Sequence, residues 1–145
     1  HKSLDYVTWL QEISVVFPEN EKTQLVVRFN EAARNISIFI AEGTAGNKTQ
    51  FVQSLRTAQS AIRESLTYTN IAYRSGLIND SYENISRNYL MELTKMTGAL
   101  INSLQRVTGS NSYGNENSSY RGGSQNNHSR RYVNEDDNQR NDYYN

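Results

Sequence analysis

Apolar residues in the first 107 positions return at the helical period in four separate runs, and no run alternates at the period of a strand. That periodicity leaves helix packed on helix as the way to build a core. At about 100° per residue, Tyr6, Val7, Leu10, Ile13 and Phe17 share one face of a short first helix, which Phe17-Pro18 stops. Glu19, Asn20 and Glu21 supply turn chemistry and negative charge for a helix start. Leu25, Phe29, Ala32, Ala33, Ile36 and Ile40 line the second helix, and Gly43 and Gly46 close it. Asn47 with Gln50 resembles a capping box, so the third helix starts there. Phe51, Leu55, Ala58, Ile62, Leu66, Thr69 and Tyr73 form its face, and Gly76 ends it. Asn79 or Asp80 caps the fourth, with Glu83 placed for Asp80. Its stripe is Tyr82, Tyr89, Leu93, Met96, Leu100 and Val107, near heptad spacing. Short connections between four helices predict an all-α, up-down antiparallel four-helix bundle over 1–108.

Composition changes near Thr108. Residues 109–145 contain one aliphatic side chain larger than alanine, Val133, among Asn, Ser, Gly, Tyr and Arg. Such a segment cannot bury enough apolar surface to offset ordering entropy, so a disordered tail is expected. Arg121-Gly122-Gly123 is similar to segments that bind single-stranded nucleic acid. The tail's five acidic residues outnumber its four arginines, which favours a solubilising extension.

The 15 basic and 15 acidic residues of the 145-residue chain cancel, so no global charge draws it to nucleic acid or a membrane surface. Absence of cysteine rules out disulfides and fits a reducing cytoplasm. No apolar run reaches the ~20 residues of a membrane span. His1 in place of methionine suggests that a leader, a tag or the beginning of the first helix has been removed.

Chemistry is sparse. The histidines are His1 and His128, one terminal and one in the tail, and no Glu-x-x-His pair exists to build a dimetal site. No phosphate loop or activated nucleophile is visible. The expectation is a non-enzyme with no cofactor, metal or small-molecule substrate.

Two surfaces stand out. Val27 and Ile38 lie about 160–180° from the Phe29/Ile36 line, and Phe39 broadens that second stripe. One bundle interior cannot bury both, so an interface between copies is expected there. On the third helix Arg56, Arg63 and Arg74 fall within about 20° of one another and span about 27 Å, with no carboxylate on the line. Ser60, Thr67 and Asn70 lie beside them as small polar donors, at spacings that could follow a phosphate backbone. A solvated flank whose arginine stems cover the core edge would have the same composition. Glu42, at a helix C-terminus where the macrodipole disfavours it, is read as holding the turn into the third helix, and Glu64 off the core face as structural.

Phe17-Pro18, Ala32-Ala33, Ile40-Ala41-Glu42-Gly43, Phe51, Ala58 through Glu64, Ala72 and Gly76-Leu77-Ile78, in this order, resemble the small bacterial four-helix-bundle proteins encoded in 23S ribosomal RNA intervening sequences. The likeness covers about residues 4–107. It implies a homo-oligomer, a pentamer, with suspected RNA binding. A related branch, the accessory variability determinant of diversity-generating retroelements, works beside a reverse transcriptase and RNA. Asn30-Glu31 stands where family members commonly carry a basic pair before the double alanine. Three readings follow: a bundle that binds structured RNA, an accessory subunit of a reverse transcriptase, or an oligomeric scaffold without nucleic acid.

Overall fold

A computed structural model of the chain describes residues 1–18 and 24–110, with side chains through residue 106. The turn predicted at Glu19 to Glu21, the place of Val107 in its stripe, and the tail beyond Ser110 with His128 lie outside the described residues. The helices are α1 (Lys2–Ser14), α2 (Gln24–Thr44), α3 (Lys48–Arg74) and α4 (Asp80–Ser110). α4 therefore runs through Thr108 and Gly109, beyond the predicted boundary. Each helix packs on its sequence neighbour and α4 closes on α1, whereas the backbones of the diagonal pairs stay apart among the described residues. Neighbours run antiparallel: Lys2 meets Glu92 while Trp9 meets Tyr82, and Gln59 meets Thr97 while Tyr73 meets Asp80. No helix among the described residues is long and apolar enough to cross a membrane.

Helix ends follow the local sequence. Asn47 Oδ1 accepts from the Gln50 amide at 2.9 Å and Gln50 Oε1 accepts from the Asn47 amide at 2.9 Å, the reciprocal pair that satisfies two orphan donors of α3. Gly76, at φ +72°, ends α3: its amide donates to the Tyr73 carbonyl and the Leu77 amide to that of Ala72. A side chain is disfavoured in that left-handed conformation. Asn79 caps α4, its Oδ1 accepting from the Tyr82 amide, while Asp80 accepts from the Tyr73 hydroxyl at 2.8 Å. Glu83 is turned instead to Arg87, because a salt bridge one helical turn away outcompetes a cap already supplied by Asn79.

The core is formed by Tyr6, Leu10 and Ile13 from α1, Phe17 from the turn after it, Phe29, Ala33 and Ile36 from α2, Ile62 and Ala72 from α3, and Leu90 and Leu93 from α4, among others. Two parts of the predicted stripes are displaced. Tyr73 is exposed and uses its hydroxyl on Asp80. On α4 the buried line is Ser86, Leu90, Leu93, Thr97 and Ile101, so Met96, 56% exposed, and Leu100 point outward. The buried hydroxyls of Tyr6, Ser86 and Thr69 have partners that the sequence does not display. Tyr6 Oη and Ser86 Oγ are 2.9 Å apart, Ser86 and Thr69 hydroxyls 2.7 Å, and Thr69 donates to the Ser65 carbonyl at 2.9 Å. With the Thr69 proton so used, donation runs from Tyr6 to Ser86 to Thr69 and ties three helices together. Burial pushes the Tyr6 phenol up to about 12, partly offset by its hydroxyl neighbours Ser86 and Thr69.

Candidate nucleic-acid interface

Arg56, Arg63 and Arg74 are all exposed along one flank of α3. Arg63 Nη2 donates to Ser60 Oγ at 3.0 Å, whereas the guanidinium groups of Arg56 and Arg74 have no partner among the described residues. The neighbouring hydroxyls differ from the sequence expectation. Ser60 donates to the Arg56 carbonyl at 3.4 Å and Thr67 to the Arg63 carbonyl at 3.1 Å, so each offers a visiting ligand lone pairs rather than a proton. Asn70 Oδ1 accepts from Arg87 Nη2 across the α3 and α4 boundary, and its amide nitrogen is left as the donor.

Arg87 is the residue that sequence reasoning missed. Its Nε donates to Glu83 Oε1 at 2.8 Å while the other end of the guanidinium reaches Asn70. The Glu83 to Arg87 spacing was a visible signal for an ion pair within α4, but which neighbouring helix Arg87 faces depends on the rotation of α4.

The outer surface between α3 and α4 holds two hollows. One, of about 410 Å³, is bordered by Arg63, Leu66, Asn84, Arg87, Asn88 and Met91. The other, of about 270 Å³, lies toward the start of α3 between Lys48, Val52, Gln53, Arg56 and Leu104. Among the described residues, neither lining contains a carboxylate. Four cations thus border this α3 and α4 seam of polar and apolar side chains, although Glu83 stands beside Arg87. Such a seam can hold an anionic, partly apolar chain.

The α2 surface is separate. Val27 and Ile38 are 52% and 47% exposed, whereas Phe39 is half-buried and packs against the core, so its ring is not a free part of that stripe. Asn30 is buried: its amide nitrogen donates to Ser14 Oγ at 3.0 Å and to the Val26 carbonyl at 2.9 Å, fastening α2 to the end of α1. A residue so enclosed faces packing, not solvent.

Glu42 and Glu64 are exposed, and neither carboxylate has a partner among the described residues. The turn is held instead by the capping box and by backbone bonds from Ala45 to Glu42 and from Gly46 to Gly43, because the backbone already satisfies the last carbonyls. Gly43 lies inside α2 rather than after it, where a Cβ would meet Phe51 Cδ2 at 2.6 Å and Ser54 Cβ at 2.9 Å. Close approach of α3 requires glycine there. No group of three or more His, Cys, Asp or Glu side chains among the described residues could hold a metal ion.

A family profile described as 23S rRNA-intervening sequence protein matches residues 1–99. None of the curated proteins matches the chain.

Proposed function

Since that match makes the chain a member of the 23S rRNA-intervening sequence protein family, we propose that it is a non-enzymatic, homo-oligomeric helical bundle that binds structured RNA through the seam between α3 and α4. The observation that carries this reading is that Lys48, Arg56, Arg63 and Arg87 line the two hollows with no carboxylate beside them in either lining among the described residues. Guanidinium groups bind phosphate through paired, charge-assisted hydrogen bonds, and Arg56 and Arg74 have theirs unspent among the described residues. Repetition of the seam in an oligomer, proposed here as a pentamer, raises a weak single-site affinity by raising local concentration.

The exposed Val27 and Ile38 supply the contact between copies in this reading. The test is a titration of the full chain with a structured RNA at low salt. Binding should weaken as salt rises, and replacing Arg56, Arg63 and Arg74 together with glutamine should lower the affinity and flatten its salt dependence. Binding indifferent to the triple replacement, or no binding, overturns the RNA reading. An oligomer of 16.6 kDa subunits that retains no nucleic acid would then be a scaffold.

A further inference from the structure

We propose that the larger hollow between α3 and α4 receives an unpaired base of single-stranded RNA. This rests on the reading of the α3 and α4 seam as an RNA surface and adds to it what part of the RNA enters the protein. Its volume of about 410 Å³ falls within the roughly 300–1,000 Å³ of small-ligand sites, which suits a nucleoside and not a helix or a duplex.

The chemistry of the lining is divided as a base requires. The floor is apolar, with Ile62 and Leu90 buried and Leu66 half-buried. Arg87 is clamped from both sides, by Glu83 at 2.8 Å and by Asn70. Glu83 neutralises much of its charge, and the clamp fixes its plane, so Arg87 serves as a stacking surface more than as a phosphate ligand. Arg63, with only Ser60 as a partner, keeps its charge for the adjoining phosphate. Asn84 and Asn88 stand one helical turn apart on the α4 edge, exposed and without side-chain partners among the described residues. Their amides present donors and acceptors to a base edge, the pairing that asparagine makes with adenine above all. A base in a duplex offers neither its face nor its pairing edge, whereas an unpaired one offers both. Thr94, also in the lining, gives its proton to the Leu90 carbonyl at 2.8 Å and so has lone pairs for a ribose 2′-hydroxyl. That selects RNA over DNA.

The test uses the full chain and a labelled short oligoadenylate RNA, compared by fluorescence anisotropy with an RNA duplex and with the oligodeoxyadenylate of equal length at one salt concentration. The single-stranded RNA should bind about tenfold tighter than either. Asn84→Ala with Asn88→Ala should remove the preference over the duplex while leaving duplex binding and the salt slope unchanged. Equal affinity for duplex and single strand, or no effect of the double replacement, overturns the base site. Equal affinity for the deoxy-oligomer overturns the choice of RNA. The triple Arg56, Arg63 and Arg74 replacement separates the two levels: if it weakens all RNA binding while the asparagine pair matters for none, the seam stands and the base site falls. If it changes nothing, the seam itself falls.

Discussion

The phenol of Tyr6 is closed off inside the bundle, and its only polar contact among the described residues is the hydroxyl chain through Ser86 and Thr69. In the unfolded chain the phenol ionises near its ordinary value of 10.0, whereas in the folded chain burial holds it neutral to about 12. The folded state therefore keeps a proton that the unfolded state has lost between these values. Stability from this group is fully present below pH 10 and should fall by roughly 1.4 kcal/mol per pH unit above it. Chemical denaturation from pH 9 to 11 measures the slope, and Tyr6→Phe should reduce it relative to the parent, since the other tyrosines remain. The side chains that carry chemistry were only half visible at this scale. Arg56, Arg63 and Arg74 could be read from spacing within one helix, but Arg87 joins them through Asn70, a contact between helices that no local spacing encodes. The same applies to Asn30, which looked like a surface substitution and is an internal fastening to Ser14.

At the level of the helices, the sequence displayed where each begins and ends far better than how each is rotated. Asn47 with Gln50 and Gly76 work locally, and each does in the structure what its residue type suggests. The face of α4 was misjudged because size was taken as the sign of burial. Met96 and Leu100 outrank Ser86 and Thr97 as apolar residues, yet the hydroxyls go inside, where Ser86 meets Tyr6 and Thr97 meets Gln59 at 3.5 Å. Mutation separates the two phases. Leu90→Ala should cost about 2–5 kcal/mol by leaving a hole in the core, whereas Met96→Ala should cost less than about 1 kcal/mol. Urea unfolding midpoints, compared at constant m-value, measure both.

For the molecule as a whole, the four-helix circuit leaves Val27 and Ile38 about half exposed, and each would gain on the order of 1 kcal/mol if fully covered by another copy. Val27→Asp with Ile38→Asp should leave the helical spectrum and shift sedimentation toward the monomer; an unchanged oligomer would place the contact elsewhere. The circuit is also uneven along its length. α1 backs α4 from Tyr82, against Trp9, to Glu92, against Lys2. At the start of α1, Lys2 and Ser3 border a hollow of about 180 Å³ together with Met96, Leu100, Ile40 and Leu55. Deuterium uptake along α4 should register the hollow, slow through Leu90 and Leu93 and faster around Met96 and Leu100, so that breathing of the structure starts beside it.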